Sequence, residues 1–299
     1  MDIKQVGDRE NPIRTSQQQV LLKRYGSILG TRISPISIFT IRYFEKNYGQ
    51  VLRLIPKSSR ILEIGPGGAN FTQYLLHEGY ANITVCEMAD DNARSLCRFF
   101  GNRIRVICED VVDYLENSSD KFDFVYSAQL IEHFAYDDFI KFLGHCYMSL
   151  NEGGYIVFET INCANITHGL YLRYCDYTHR IGFTPRSLKH FLMSVGGFSD
   201  FRLIEIYPPG FLDCLHYIRH RLKGISTIPG IKQSADPTDI YFSADSPSVR
   251  RGLRRLMAIL LRNPVIRLSR WLSFFFLWPY EFGRIKVYTP FFAIVARKN

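Results

Sequence analysis

The chain has 299 residues, enough for one large or two small domains. Hydrophobic residues make up 46% of it and charged residues 22%. These fractions match the averages of soluble globular proteins and exclude a disordered chain, a collagen-like repeat and a disulfide-rich miniature protein. Lys and Arg outnumber Asp and Glu by 37 to 28, a net charge of +9, which points to an anionic partner only if the excess is concentrated in one region.

The N-terminal region, residues 1–58, is predicted to be a helical extension that precedes the core. It contains one or two helices, which include residues 35–48 and 50–55. The polar start of the sequence offers no apolar segment for a signal peptide, and no run of about 18 apolar residues suits a membrane span. The seven cysteines form no Cys-x-x-Cys pair, as expected for reduced thiols. We therefore expect a cytoplasmic protein.

From residue 59 to residue 207, short apolar runs alternate with amphipathic stretches. This alternation is typical of strands and helices that build a parallel sheet. The predicted strands are 60–64, 82–86, 103–107, 122–126, 155–159, 201–207 and, near the end of the sequence, 288–296. The predicted helices are 70–77, 90–98, 137–149 and 185–195. The fold class is therefore α/β, with a doubly wound, mostly parallel, Rossmann-like sheet of seven strands.

Residues 208–284 form a predicted helical insertion between the last two strands, and residues 285–299 supply the final strand of the core. From residue 208 to residue 286 the sequence holds 13 basic and 5 acidic side chains, and so carries +8 of the net charge. Two amphipathic helices, 248–261 and 265–278, are predicted within the insertion. The basic excess of the chain therefore belongs to this region.

Three kinds of partner suit the basic and aromatic segment 248–280. Its apolar face could pack on the sheet or on a second copy of the chain in a homodimer. It could also lie on an anionic membrane surface, where each Lys or Arg contributes about 1 kcal/mol, which would make the protein peripheral to the cytoplasmic face. Nucleic acid ranks last, because the sequence contains no recognised RNA-binding module.

A glycine-rich loop follows the first predicted strand. It runs from Glu63 through Gly65, Gly67 and Gly68 to Asn70. Glycines let the backbone turn sharply and approach a ligand closely. Asn70 stands where the dinucleotide fingerprint G-x-G-x-x-G requires its third glycine, and the loop lacks the Gly-Lys-Ser/Thr of a P-loop. Nicotinamide, flavin and nucleoside triphosphate binding are therefore disfavoured.

This acid-x-Gly-x-Gly pattern resembles motif I of the class I S-adenosylmethionine-dependent methyltransferases. Glu87 closes the second strand, 22 residues after Gly65, where a carboxylate can accept both ribose hydroxyls. Asp110 follows the third strand and resembles the family's acid near the adenine amino group. Residues 122–129 resemble its fourth-strand motif, and residues 150–155 its turn into the fifth strand.

The resemblance implies that S-adenosyl-L-methionine is the cofactor. It assigns cofactor binding to Glu63, Gly65, Gly67, Gly68, Glu87, Asp110, Ser127 and Gln129. The sequence departs from the pattern at Ala69, where many members have glycine. Because alanine is small, we expect the pocket to stay open.

Two histidines are candidates for the base that takes a proton from the methyl acceptor. His133 follows the fourth strand and His179 lies in the loop after the fifth, so both fall at the carboxyl edge, where doubly wound sheets bind ligands. His179 is the first choice, with Asp176 as the residue that orients it, and His133 is the second. Each could instead be a loop histidine that bonds to the backbone and never touches substrate.

Part of the second half resembles the O-methyltransferases of ubiquinone biosynthesis. The similarity lies in residues 160–162, in Thr178-His179 and in residues 183–188. Those enzymes carry Glu-x-x-Glu-His after the fourth strand, a group associated with a divalent metal. Gln129 replaces the first acid here, so no metal site is predicted.

The second half is more similar to methyltransferases of bacterial cell-surface polysaccharide and lipopolysaccharide gene clusters. The shared features are the Asp-x-Thr-His loop at 176–179, Phe-Thr-Pro-x-Ser-Leu at 183–188, Gly197-Phe198 and a basic C-terminal insertion that ends in a strand. This resemblance implies O-methylation of a sugar hydroxyl on a nucleotide-linked or lipid-linked saccharide. The alternatives are a quinol or small-aromatic O-methyltransferase and a catalytically idle, cofactor-binding scaffold at a membrane.

Overall fold

The computed structural model describes residues 33–165, 169–206 and 291–299. Its helices are α1 (Ile38–Leu52), α2 (Asn70–His77), α3 (Asp90–Phe100), α4 (Val111–Asn117), α5 (Tyr136–Ser149), α6 (Gly169–Cys175) and α7 (Pro185–Gly196). Its strands are β1 (Ile61–Ile64), β2 (Ile83–Cys86), β3 (Arg105–Ile107), β4 (Phe122–Ala128), β5 (Leu150–Ile161), β6 (Ser199–Glu205) and β7 (Phe291–Arg297). Short 3₁₀ turns occupy Gly101–Arg103 and Ile131–His133. The elements alternate as an α/β fold requires.

Within the described residues, seven strands form one sheet in the order β3-β2-β1-β4-β5-β7-β6. All the strand pairs among β1, β2, β3, β4 and β5 are parallel, whereas β7 runs antiparallel to both β5 and β6. The predicted seven-stranded, mostly parallel sheet is therefore confirmed. The strand order reverses between β1 and β4, and in such sheets the crevice at the carboxyl ends of these strands binds the ligand.

Strand β1 shows why the sequence builds a sheet that is covered on both faces. All four of its residues are buried, as expected for a central parallel strand between two helical layers. Its register sets Glu63 opposite Val85 of β2 and Tyr126 of β4. Glu63 is thus a carboxylate placed inside an otherwise apolar layer.

Helix α1 packs on one face of the sheet through a group of aromatic rings. Phe44 of α1 stacks on Tyr74 of α2 with centroids 5.4 Å apart. Phe71 of α2 stacks on Tyr126 of β4 with centroids 3.8 Å apart, and Tyr48 of α1 meets the same tyrosine edge-on at 5.4 Å. Buried aromatic pairs of this kind stabilise a fold beyond their area alone. They fix α1 and α2 against the sheet.

The N-terminal prediction needs one correction. The segments 35–48 and 50–55 were predicted as one or two helices, and the structure has a single helix, Ile38–Leu52, that continues through Gly49. Ser37 caps its start, because the Ser37 side chain accepts a hydrogen bond from Thr40 N at 3.1 Å. Glycine inside a helix costs about 1 kcal/mol, which the packing of the flanking Tyr48 and Val51 offsets.

The predicted turn at 150–155 lies within a strand. Strand β5 begins at Leu150, and its pairing with β4 shifts register between Phe122 and Phe124. Gly153, with φ of +76°, supplies the left-handed residue that this irregularity requires. The two shortest helices that the structure describes, α4 and α6, were not predicted.

The insertion 208–284, with its segment 248–280, lies outside the described residues, as do residues 1–32 and 285–290. Of the helices that the structure describes, none has the length and the apolar character needed to cross a lipid bilayer.

Candidate active site

The glycine loop leaves β1 at Gly65 and leads into α2. Gly65 N donates a hydrogen bond to Cys86 O at 2.9 Å, which joins the loop to the end of β2. Gly67 has φ of +51°, and a Cβ built on it would meet no atom within 4 Å. For Gly68, the nearest atom to such a Cβ is Asn70 Nδ2 at 3.9 Å. The loop therefore borders open space, as a backbone surface that receives a ligand must.

Ala69 adopts the backbone conformation that glycine usually provides. Its φ of 55° and ψ of 34° are left-handed, which costs a residue with a Cβ about 1–2 kcal/mol. The residue is fully buried, and its N donates to Pro66 O at 2.7 Å to close the turn. The replacement of glycine at this position therefore leaves the course of the loop intact.

Glu63 lies beneath the loop. Its side chain accepts a hydrogen bond from the hydroxyl of Thr72 in α2, and the residue is only 4% exposed. Burial raises the pKa of this carboxyl to about 8, because a charge is poorly solvated there. Glu63 thus joins β1 to α2 under the loop, and a direct contact with cofactor stays a prediction.

Glu87 stands at the end of β2 with both carboxylate oxygens engaged. Oε1 accepts from Ala89 N at 2.8 Å, and Oε2 accepts from Asn92 Nδ2 at 2.7 Å. Burial raises the pKa of Glu87, while these hydrogen bonds lower it. The carboxylate is therefore held in one orientation at the edge of the sheet where its ribose role was predicted.

Asp110 lies at the same edge, after β3. Its Oδ1 accepts from Val112 N at 2.8 Å and caps α4, and burial raises the pKa of its carboxyl. Glu87 N donates to Ile107 O at 2.9 Å, so the segments that carry the two acids run side by side. The sequence did not predict this capping contact. The hydrogen bond from Val112 N fixes the direction of the Asp110 carboxylate.

Ser127 and Gln129 follow at the end of β4. The Ser127 hydroxyl is buried and has no hydrogen-bond partner among the described residues. Gln129 adopts a positive φ of 51°, and its N donates to Glu159 O at 3.0 Å. The Gln129 side chain approaches the Glu159 carboxylate at 3.5 Å.

The sequence did not point to Glu159, which is buried near the end of β5. Its carboxylate accepts hydrogen bonds from Tyr48, from Tyr43 at 3.4 Å and from Tyr126 at 3.5 Å. Burial raises the pKa of Glu159. An acidic residue at the end of an apolar strand was the available signal. Its phenolic partners lie far away in the sequence, so only the fold brings them together.

The two candidate histidines meet at the carboxyl edge. The ring centroids of His133 and His179 lie 4.7 Å apart. His133 Nδ1 lies 2.8 Å from Thr178 Oγ1, and Thr178 Oγ1 donates to Asp176 Oδ1 at 2.6 Å. Because that donation uses the only hydroxyl proton of Thr178, its oxygen accepts from His133 Nδ1–H. A chain of hydrogen bonds therefore runs from His133 to Asp176.

The predicted role of Asp176 needs a correction. It was expected to orient His179, yet His179 Nε2 lies 3.9 Å from Asp176 Oδ2, beyond hydrogen-bond distance. His179 Nδ1 donates instead to Leu172 O at 2.9 Å. The Asp176 carboxylate does not contact His133 through these bonds directly, because the Thr178 hydroxyl lies between them and is hydrogen-bonded to both. The hydrogen bonds of Asp176 therefore lead to His133, and an orienting role for Asp176 stays a prediction.

Burial affects both rings. It lowers the pKa of His133 to about 4, with the neighbouring His179 as the second cause, and it lowers the pKa of His179. Both rings are therefore neutral near pH 7, the form in which a histidine accepts a proton. His179 is 5% exposed, whereas His133 is partly exposed. Which of the two histidines takes the proton stays a prediction.

Glu132 completes a group that could hold a divalent metal ion. Ligand atoms of Glu132, His133 and His179 lie within 4.8 Å of one another. Glu132 Oε2 accepts from Thr160 Oγ1 at 2.8 Å, and Glu132 Oε1 has no hydrogen-bond partner in the described part of the chain. No metal site was predicted from the sequence, because Gln129 replaces an acid. The sequence could not show that His179 lies beside Glu132 and His133.

Comparison with known proteins decides the family. Residues 39–197 match the family described as "Methyltransferase domain", and this range is more than half of the chain. The chain belongs to this methyltransferase family. A search among proteins of curated function finds no match.

Solved structures of methyltransferases share the fold of this one. Phosphoethanolamine N-methyltransferase 2 of Haemonchus contortus, in complex with S-adenosyl-L-methionine, is 18% identical with a TM-score of 0.52, over 95% of this chain and 58% of that one. A possible histamine N-methyltransferase of Thermotoga maritima is 15% identical with a TM-score of 0.50, over 95% and 100% of the two chains. At these identities the likeness is one of fold.

The residues of this methyltransferase fit S-adenosylmethionine as its cofactor. The open space beside Gly67 gives the backbone access to a ligand. Glu87 and Asp110 present carboxylates at the same edge of the sheet, and the buried hydroxyl of Ser127 has no partner among the described residues. Acceptors in this arrangement suit the ribose hydroxyls and the adenine amino group, which are hydrogen-bond donors.

Proposed function

We propose that this methyltransferase O-methylates a saccharide intermediate of surface polysaccharide assembly, linked to a nucleotide or a lipid. The observation that carries the proposal is the hydrogen-bond chain from His133 through Thr178 to Asp176. It supplies an oriented, neutral base at the edge of the sheet that also carries the glycine loop. A hydroxyl acceptor needs such a base, because its proton must leave as the new bond forms.

The cofactor supplies a methyl group that its sulfonium already activates. Glu87 and Asp110 hold its ribose and adenine ends, and the backbone at Gly67 lies against it. Well-aligned reacting groups can gain about 7–11 kcal/mol from orientation. The main task of the two carboxylates and the glycine loop is therefore to align the methyl group of the cofactor with the acceptor.

In this proposal His133 takes the proton of the acceptor hydroxyl, and its Nδ1 lies 2.8 Å from Thr178 Oγ1. The imidazolium that forms is stabilised by the Asp176 carboxylate through the Thr178 hydroxyl, as a buried carboxylate stabilises the histidine of a catalytic triad. A base in this position contributes about 10²- to 10⁴-fold to the rate. His179 packs against His133 and holds the ring in place.

Two exposed tyrosines support a saccharide as acceptor. Tyr174 and Tyr177 are 74% and 75% exposed, and Tyr177 directly precedes Thr178 in the chain. Aromatic rings with one open face suit ligands with an apolar face and polar edges, which describes a pyranose. The similarity of residues 176–179 and 183–188 to polysaccharide methyltransferases favours the same class.

The test is transfer of a labelled methyl group from S-adenosylmethionine to a panel of acceptors, read by mass spectrometry. The panel contains sugar nucleotides, lipid-linked sugars, catechols and primary amines. Methylation of a sugar hydroxyl, lost in His133→Ala, supports the proposal. Methylation of catechols alone would identify an aromatic O-methyltransferase, and amine products would overturn the saccharide assignment. Cofactor binding without any product would indicate a scaffold.

A further inference from the structure

Asn92, in the first turn of α3, connects the two loops that border the cofactor site. Its Nδ2 donates to Glu87 Oε2 at 2.7 Å and to Gly67 O at 3.1 Å. One side-chain amide thus joins the acid after β2 to the glycine loop after β1. The residue is 6% exposed, so water does not compete for these contacts.

The contacts of Asn92 define the position of the Glu87 carboxylate. No ion pair to Glu87 is present in the described ranges 33–165, 169–206 and 291–299. The carboxylate is oriented by Ala89 N on one oxygen and by Asn92 on the other. The Met88 backbone is a further hydrogen-bond partner of this carboxylate. A carboxylate offers about four acceptor positions, so these contacts leave room for a donor from the ribose.

The same amide carries a cost for the fold. Asn92 Oδ1 is buried and has no hydrogen-bond partner among the described residues, and a buried polar atom without a partner destabilises the folded state. Leucine has the same side-chain branching as asparagine and no polar atom, so it would remove this cost. An amide that weakens the fold while it holds two functional groups indicates a trade of stability for activity.

We propose that Asn92 is a positioning residue for the cofactor, which sets the distance between Glu87 and the Gly67 backbone and so determines the affinity for the ribose. The proposal rests on the ribose role of Glu87. It assigns Asn92 no contact with the reacting atoms. If Asn92 were purely structural, its loss would lower cofactor affinity and thermal stability together. As a positioning residue, its loss should lower the affinity alone.

The first experiment compares the wild type with Asn92→Leu in the full chain. Calorimetry with S-adenosylmethionine should give a dissociation constant at least tenfold larger for the variant. Thermal unfolding without ligand should give a melting temperature equal to that of the wild type or higher. Unchanged affinity, or a melting temperature that falls together with the affinity, would overturn the proposal.

A second ligand reports on the ribose itself. S-adenosylhomocysteine and its 2′-deoxy analogue should bind the wild type with clearly different affinities, because the analogue lacks one hydroxyl for Glu87. In Asn92→Leu this preference should shrink at least threefold, as expected when two groups are coupled. An undiminished preference in the variant would contradict the positioning role.

Three variants complete the test. Ser95→Ala, which removes an exposed hydroxyl bonded to Asp91 O on the same helix, should change neither affinity nor stability. Asn92→Asp keeps the shape of the side chain but replaces the Nδ2 donor by an acceptor, and it should also weaken cofactor binding at least tenfold. This variant tests the proposal if Asn92→Leu does not fold. Glu87→Gln separates the two hypotheses: if it binds like the wild type, the ribose role fails, and if it alone weakens binding, only the role of Asn92 fails.

Discussion

Asp176 acts on His133 through the hydroxyl of Thr178, across two hydrogen bonds of 2.6 and 2.8 Å. The three residues come from two parts of the fold: His133 ends the 3₁₀ turn after β4, and Asp176 and Thr178 lie in the loop that follows α6. Asp176 Oδ1 also accepts from Thr178 N at 2.8 Å, so the carboxylate and the hydroxyl are fixed as one unit. This relationship leads to the first two predictions.

His133→Ala should lower the turnover number by about 10²- to 10⁴-fold, the usual contribution of a general base. The affinity for S-adenosylmethionine should not change, because the ring takes no part in holding the cofactor. Steady-state kinetics with the acceptor that the panel identifies and calorimetry with the cofactor measure the two quantities. His190→Ala, an exposed histidine of α7, is the matched control and should behave like the wild type. Equal turnover in His133→Ala and the control would remove His133 from the role of base.

Thr178→Val should lower turnover about tenfold while the fold remains intact. Valine has nearly the shape of threonine but no hydroxyl, so the connection between His133 and Asp176 is lost and the base remains. The loss should be smaller than in His133→Ala, and combining the two changes should add little, since residues that act as a unit are not additive. Additive losses in the double variant would show that Thr178 acts independently of His133.

Gly67→Ala should weaken cofactor binding at least tenfold and destabilise the fold by about 1 kcal/mol, the cost of a left-handed alanine. The added Cβ meets no protein atom, so any larger effect must involve the ligand. Gly79→Ala is the matched control, with φ of +85° and equally open surroundings, and it lies after α2, away from the loop. It should lose similar stability and keep its affinity. Calorimetry and urea unfolding distinguish the two, and equal affinity in both variants would place the ligand elsewhere.

Glu63→Gln should change how stability depends on pH. Because burial raises the pKa of Glu63 to about 8, the folded protein keeps a proton that the unfolded chain releases near its ordinary value of 4.5. Its contribution to stability is full below the unfolded pKa and is lost as the pH rises through about 8. Glutamine accepts the Thr72 hydrogen bond without this loss.

Urea unfolding at pH 5, 7 and 9 tests this expectation. The free energy of unfolding of Glu63→Gln should gain on that of the wild type as the pH rises, by at least about 1.4 kcal/mol, the value of one pKa unit. A constant difference between the two proteins across this range would show that Glu63 is ionised in the folded state.

Much of the sheet could be predicted from the sequence, because buried parallel strands are short apolar runs. The first two strands were placed within one residue of Ile61–Ile64 and Ile83–Cys86. Helices α4 and α6 were not predicted, since each has seven residues, too few to show a helical period. The ends of elements depend on capping and on packing against distant residues.

The candidate cofactor residues could be proposed from the sequence because they follow strands of the predicted sheet, and parallel strands bring their carboxyl ends together. Partners within the site could not be found in this way. Asp176 was assigned to His179, the nearest histidine in sequence, whereas its hydrogen bond to the Thr178 hydroxyl leads to His133. Asn92 carried a signal that was not used: it is a polar residue on the buried side of an amphipathic helix, five positions after the acid that it holds.

The placement of β7 has a consequence for the order in which the protein is built. Strand β6 lies at the border of the sheet and is hydrogen-bonded to β7, yet β6 ends at Glu205 and β7 begins at Phe291. During synthesis on the ribosome, β1 to β5 can assemble as soon as they emerge, while β6 must wait until residue 291 has been translated. We therefore expect β6 to lack its hydrogen-bonded neighbour, and so to exchange its amide hydrogens readily, in a nascent chain stalled before that point.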